Sequence, residues 1–296
     1  MELRVLVSIW GNDYADVFLR WSLPSLFSYE NCRRVLAGGH HMSFYIYSDP
    51  ATLFQLRSSE ITKSTDGKDF KFFNMSKTTF DSKPLDYEVY SATGTVNTHE
   101  LQSRCYMHGM EQLSEGEVVF LFWTADFTLS DGGLYWAMRQ ISNGQKAVYA
   151  DYVEIKQEKA ANELDAYYRV PGKGPTGREL AKISFCHTHQ ITLDHFCDDG
   201  QVSTYPPFLF LLSEDGSFIH TGIFPHPLLV CFDNHTTRFE SSIDYEFAQR
   251  VVGEGPYVKA VDSDDLLLCA ITRGEGYGRL PRNKLTANSL AHFLIS

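Results

Sequence analysis

Two aspartates follow an apolar run in the stretch Val118 to Leu134, VVFLFWTADFTLSDGGL. Val118 to Phe122 reads as a strand buried on both faces. Asp126 lies four residues past Phe122 and Asp131 five residues further, just before the turn pair Gly132-Gly133. Leu134 to Ile141 then has the pattern of a helix. A carboxylate just past the C-terminal end of a buried strand, in an α/β chain, sits where such sheets bind ligands. Aspartate oxygens suit Mg²⁺ or Mn²⁺, the ions that accompany phosphate groups. Aspartate is also a turn and helix-capping residue, and that structural reading is the stronger one for Asp131.

Strands and helices alternate around this stretch. Leu3 to Trp10 reads as a buried strand, followed by the turn signal Gly11-Asn12-Asp13. Tyr14 to Ser28 carries Val17, Phe18, Trp21 and Leu26 at helical spacing, with Pro24 expected to kink it. His41 to Tyr47 reads as a second strand, closed by Ser48-Asp49-Pro50 and a short helix over Ala51 to Arg57. Phe70 to Phe73 reads as a third strand. Asn97 or Thr98 can cap a helix running to Leu113. Ala147 to Val153 reads as one strand, Lys156 to Gly177 as a linker or mobile loop, and Arg178 to His187 as a helix. Short strands are expected over Leu209–Leu212, Phe218–Ile223, Leu228–Phe232 and Tyr257–Val261, with helical runs over Ile243–Val252 and Asp264–Arg273. The expectation is an α/β fold with a mainly parallel sheet flanked by helices and a smaller mixed C-terminal part. Residues 1–155 would form the nucleotide-binding half and 156–296 the acceptor-side half of one domain.

In such a sheet the first two strands open onto the same crevice as Asp126. Trp10 and Gly11 end the first strand and Asp49 ends the second, so these three are candidate nucleotide contacts. Asp49 can accept a hydrogen bond from ribose or base, or simply cap the helix behind Pro50. Arg104, on the helix before the Asp126 strand, is a candidate phosphate partner or a solvated helix charge.

The 296 residues carry a formal net charge of −11, which disfavours a phosphate-tracking nucleic-acid binder. Phosphate-binding loops of the GxGxxG and GxxxxGK[ST] types are missing after the strands, so the dehydrogenase and P-loop readings lack their fingerprints. Six cysteines have no CxxC spacing. The run Cys186-His187-Thr188-His189, followed by His195 and Cys197, does not match standard zinc frameworks. No run of 18 apolar residues is present, so no transmembrane span is expected. The N-terminus lacks the features of a signal peptide, and cytoplasmic residence is the default expectation.

The chain resembles the nucleotide-sugar-dependent glycosyltransferases of the GT-A fold, and more closely a bacterial group of glycosyltransferase-like proteins of unassigned substrate. Four places carry the resemblance: Leu3–Trp10, FWTADFTLSDGGL, the segment FIHTGIFPHPLLV from Phe218 to Val230, and SSIDYEF with the later AVDSDDLL. It implies a donor nucleoside-diphosphate sugar, a hydroxyl acceptor (glycan, lipid or small molecule), and Mn²⁺ or Mg²⁺ at an Asp-x-Asp element. Here that triplet is Thr124-Ala125-Asp126, so a single carboxylate remains to hold the metal. His226 is the candidate second ligand. Asp244 and Glu246, in the segment that would approach the acceptor, are the candidate bases; one carboxylate suffices to deprotonate a hydroxyl in an inverting transfer. His187 and His189 occur in the resembling group as an H-x-H pair after a helix, and their residue types and spacing do not fix a role. The competing readings are a degenerate GT-A domain that binds glycan or protein without turnover, which Thr124 favours, and a sugar nucleotidyltransferase, whose Gly-rich basic loop is missing.

Overall fold

The computed structural model describes residues 1–63, 68–80, 83–84, 98–112, 116–195, 201–203, 208–222, 225–231, 255–274 and 282–284. Asp244, Glu246 and the helix expected over 243–252 lie outside them. Seven strands form the central sheet: β1 (Glu2–Ile9), β2 (His41–Ser48), β3 (Lys68–Asn74), β4 (Val118–Thr124), β5 (Ala147–Ala150), β6 (His226–Cys231) and β7 (Tyr257–Ala260). Their order is β7-β5-β6-β4-β1-β2-β3. All neighbours run parallel except β6, which is antiparallel to both β4 and β5. The expected mainly parallel α/β architecture is what the chain forms.

The apolar runs explain the sheet's central position. Leu3, Val5, Val7, Val119, Leu121 and Trp123 enter one core, and Leu6, Tyr45, Tyr47, Phe120 and Phe122 the other. Alternate side chains thus go to opposite faces, and each large one contributes ~1.5–3 kcal/mol on full burial. Helical chain from Asn12 to Leu26 covers the first face with Phe18, Leu23 and Leu26, while helix Thr98–Met110 covers the second with Leu101, Cys105 and Met110. Pro24 acts on the first of these: a π turn over Phe18–Ser22 separates the segments Asn12–Val17 and Leu23–Leu26. Proline lacks an N–H and crowds the carbonyl four residues back, and a wider turn relieves both.

Three elements differ from the sequence reading. Ala147 to Val153 is not one strand. It divides at the buried Asp151 into β5 and the strand Tyr152–Lys156, which belongs to a second sheet. The supposed linker contains a helix, Gln157–Tyr168, that buries Ala160, Leu164 and Tyr168 at four-residue spacing. Asp165 on this helix accepts from Trp21 Nε1 at 2.9 Å and from Arg20 and Arg169, tying it to the first helix. The helical run expected over 264–273 is instead the strand Leu268–Thr272, because Leu266 to Ile271 is buried without a polar face that would fit a helix on the surface. It lies between Phe127–Leu129 and Tyr152–Lys156 in a three-stranded sheet. β6, β7 and Leu268–Thr272 are strands of the second half that complete sheets begun by the first. No helix among the described residues is long and apolar enough to cross a membrane.

Candidate functional site

Register fixes where the site lies. Ser8 pairs with Thr124 and Ile9 with Ser48, so β1, β2 and β4 end at one edge of the sheet. Beyond Thr124 the chain turns at Ala125-Asp126 and leaves as Phe127–Leu129. The turn is pinned by Ile271 N–H, which donates to the Asp126 carbonyl at 2.8 Å. Asp126 therefore stands at the C-terminal edge of the parallel strands, as its position in the sequence requires.

Three cavities lie along this edge. The largest, about 960 Å³, is lined by Trp10, Gly11, Asp49, Thr52 and Met75 among others. Next comes one of about 250 Å³ between Ser8, Trp10, Thr124 and Asp126 on one side and His99 and Gln102 on the other. The third, about 430 Å³, has Asp126, Gln157, His189, Thr272 and Arg273 in its walls. They share residues. Trp10 lines the first two, Asp126 the last two, and the half-exposed Tyr14 all three.

At the large cavity, Gly11 has φ of +87°, a conformation that favours glycine. Its N–H is thereby turned to Asp49 Oδ2 and Thr52 Oγ1, both at 3.1 Å. Asp49 Oδ1 caps helix Pro50–Ser58, accepting from Ala51 N and Thr52 N at 3.0 Å. Desolvation pushes the Asp49 carboxyl up, but the hydrogen bonds from Thr52, Gly11 and Ala51 outweigh it and hold the group below its ordinary range. Trp10, Gly11 and Asp49 are thus brought together, with Asp49 serving as a cap in the same place.

Arg104 is half-buried on helix Thr98–Met110 and lines none of these three cavities. Gln102, two residues earlier, does face the middle one. Two residues on a helix differ by about 200° in direction, so the helix presents His99 and Gln102 to the cavity and turns Arg104 away.

At the junction of the smaller cavities, Thr124 Oγ1 donates to Asp126 Oδ1 at 2.7 Å. Burial pushes the Asp126 carboxyl up from its ordinary range and the Thr124 hydrogen bond pulls it part of the way back. Glu154 is also pushed up, first by burial and further by the charge of Asp126; the hydroxyl of Thr272 and the nearby His189 act against this. Thr272 Oγ1 donates to Glu154 Oε2 at 3.1 Å, and His189 Nδ1 lies 3.8 Å from the same oxygen. His189 Nε2 donates to the Gly274 carbonyl at 2.9 Å.

His226 begins β6, beside the Asp126 turn. Its ring packs edge-on against Phe127 at 5.1 Å between centroids, and Nε2 donates to the Phe122 carbonyl at 2.9 Å. Nε2 is therefore committed, and a metal would have Nδ1 as donor. Burial pushes the imidazole down to about 4, so it is neutral at pH 7, as a ligand must be. Asp131 is structural: it accepts from Ser28 Oγ at 2.6 Å and Glu30 N at 2.9 Å, and lines none of the three cavities. Cys186 is exposed, His187 pairs with Glu163 at 2.5 Å, and His189 is buried in the cavity wall. These neighbours in sequence do not converge. Among the described residues no group of three or more His, Cys, Asp or Glu is placed to hold a metal ion. Asp126 lines two of the three cavities and His226 none of them, so Asp126 is the one of this pair that could hold a cation there, with the remaining ligands supplied by a bound diphosphate.

Sequence reasoning missed Tyr14, Gln157, Glu154, Thr272 and Arg273. They reach the site from four separate elements, and none sits in a motif. His189 was visible as half of an H-x-H pair, but its role depended on strand Tyr152–Lys156 lying alongside.

No family model matches the chain, and no curated protein matches it by sequence. Among solved structures, mouse xyloside xylosyltransferase 1 in its apo form is similar at a TM-score of 0.34 and 9 % identity. The likeness covers 55 % of this chain and 57 % of that one, so this chain spans little more than half of that protein's length. At this distance the chemistry of the site rests on its own residues.

Proposed function

We propose that the chain is a glycosyltransferase that moves a sugar from a nucleoside-diphosphate donor to a hydroxyl acceptor, assisted by Mn²⁺ or Mg²⁺. The observation that carries this reading is the position of Asp126: past the end of a parallel strand and in the walls of two small cavities, one of which shares Trp10 and Tyr14 with a larger cavity at the ends of β1 and β2. The large cavity suits a nucleoside, with Trp10 as an apolar wall, Gly11 allowing close approach of the backbone, and Asp49 at the rim. The 250 Å³ cavity suits the donor sugar, with His99 and Gln102 facing its hydroxyls.

Asp126 would hold the cation, with His226 Nδ1 as the candidate second donor. When bound, the cation would neutralise charge that builds on the departing diphosphate. The charge of Asp126 raises the cost of ionising Glu154, and a cation beside them would relieve that cost. Thr124 keeps one Asp126 oxygen oriented. Asp244 and Glu246 remain the candidate bases for the acceptor hydroxyl, and Arg104 is a candidate phosphate partner only through a shift of its helix or side chain.

The test is incubation of the full chain with UDP-, GDP-, CDP- and dTDP-sugars and Mn²⁺, with release of the nucleoside diphosphate as the readout. Release that depends on the cation and on Asp126 supports the reading. Nucleotide binding without release, with any acceptor, favours the degenerate binding domain.

A further inference from the structure

Asp126 lines both the 250 Å³ cavity, which shares Trp10 with the large cavity at Gly11 and Asp49, and the 430 Å³ cavity, which shares Asp13 and Tyr14 with that large cavity. If the donor fills the large and the 250 Å³ cavities, the reacting carbon lies near Asp126, and the 430 Å³ cavity is the neighbouring space from which an attacking group can reach it. We infer that the 430 Å³ cavity is the acceptor site and that it takes a neutral saccharide of one or two rings. This rests on the transferase reading for the word acceptor; the saccharide class rests on the walls themselves.

The size is at the lower end of the ~300–1,000 Å³ typical of sites that enclose a small organic molecule. That admits one or two sugar rings and excludes a folded protein loop. The walls are mixed in the way a sugar is mixed. Tyr14, Val17, Ile191 and Ile271 offer apolar surface for the C–H faces of a ring. Gln157, Asp13 and Asp126 offer amide and carboxylate groups, which pair with hydroxyls as donors and acceptors.

Charge narrows the class. Arg273 is the cationic side chain in this wall among the described residues, and it is already engaged. Its guanidinium pairs with the Asp13 carboxylate, and its Nε donates to Gln157 Oε1 at 2.7 Å. An anionic sugar would have to displace Asp13 while facing Asp126, and would gain no uncommitted cation. A fatty chain would strip water from Asp126, Gln157 and the Arg273–Asp13 pair without replacing its hydrogen bonds, which is unfavourable. A neutral polyol meets neither objection.

The experiment uses the full chain without nucleotide. Binding of methyl glucoside, methyl xyloside, maltose and lactose is measured by saturation-transfer NMR and calorimetry, against glucuronic acid, glucose 6-phosphate and laurate. The same measurements are made on Ile191→Trp, which fills the cavity from a short helix at its rim, and on Gln157→Ala, with circular dichroism to verify folding. Neutral saccharides are expected to bind at millimolar concentrations. Ile191→Trp should weaken them about tenfold and Gln157→Ala about threefold, while the affinity for UDP and GDP stays unchanged in both. The inference is overturned if the charged sugars or laurate bind as tightly as the neutral ones, if no saccharide binds, or if both variants bind saccharide like the parent. Nucleotide binding without saccharide binding sinks this inference and leaves the transferase reading standing. Saccharide binding with no affinity for any nucleoside diphosphate does the reverse.

Discussion

Thr124 Oγ1 donates a 2.7 Å hydrogen bond to Asp126 Oδ1. A hydroxyl thus stands two residues before the site's carboxylate, where a second acid would double the negative charge offered to a cation. It orients Asp126 and leaves the site with one formal charge from this turn. Thr124→Asp should therefore tighten Mn²⁺ in the presence of UDP or GDP by on the order of tenfold. Calorimetric titration of Mn²⁺ into the nucleotide-saturated protein measures it. An unchanged affinity would mean that this turn does not face the metal.

Asp126→Asn keeps the shape of the side chain and removes its charge. Release of nucleoside diphosphate should fall at least ~100-fold, as for loss of one electrostatic stabiliser of a transition state, and EDTA should do the same to the parent protein. Stability should move the other way. The folded-state carboxyl is held above its ordinary range by burial, so its ionisation at pH 7 opposes folding, and the melting temperature of the variant should stay level or rise slightly. A large drop in melting temperature would show that the carboxylate is structural.

Asp49 has a double role. It caps helix Pro50–Ser58 and accepts from Gly11 N–H across the crevice. Asp49→Ala should cost about 0.5–2 kcal/mol of stability, the usual range for a lost cap, and should weaken UDP or GDP binding by a modest factor. Because hydrogen bonds hold this carboxyl low, its stabilisation is complete above the ordinary carboxylate range and is lost as pH falls through the depressed folded value. Urea unfolding of parent and variant at pH 7 and pH 3, with calorimetry of the nucleotide, separates the two roles. If the dissociation constant does not change, Asp49 is a cap alone.

The central sheet was legible because β1, β2 and β4 are apolar on both faces, a pattern that few other elements produce. Asp126 was legible for the same reason: the end of a continuous apolar run marks the edge of the sheet. Helix Gln157–Tyr168 was hidden because its exposed positions are strongly polar, and only Ala160, Leu164 and Tyr168 mark the buried stripe. Leu268–Thr272 was misread because a short, fully buried run has no periodicity to separate helix from strand. The remaining wall of the site was illegible for another reason. Glu154 meets Thr272 and His189 only after Tyr152–Lys156 pairs with Leu268–Thr272, and no local spacing encodes a contact between residues that far apart.

His226 links the site to pH. Its ring is packed against Phe127 and hydrogen-bonded to the Phe122 carbonyl, and burial holds its pKa down at about 4. The unfolded chain binds this proton near pH 6.5. Between those two values the unfolded state carries more protons than the folded one, so stability rises with pH and is lost as pH falls from about 6.5 toward 4. Below pH 4 both states are protonated and this loss stops. His220, also held down by burial, slopes the same way, whereas Asp126 and Glu154, held up, slope the opposite way. His226→Gln keeps an N–H donor for the Phe122 carbonyl and removes the titration. Urea unfolding at pH 7 and pH 4.5 should show the parent losing ~2 kcal/mol more than the variant. Equal losses would mean that the imidazole is open to water and charges normally. The same variant also tests the ligand role: if Nδ1 holds the cation, Mn²⁺ binding in the presence of UDP weakens, and if it does not, that affinity is unchanged while the pH effect remains.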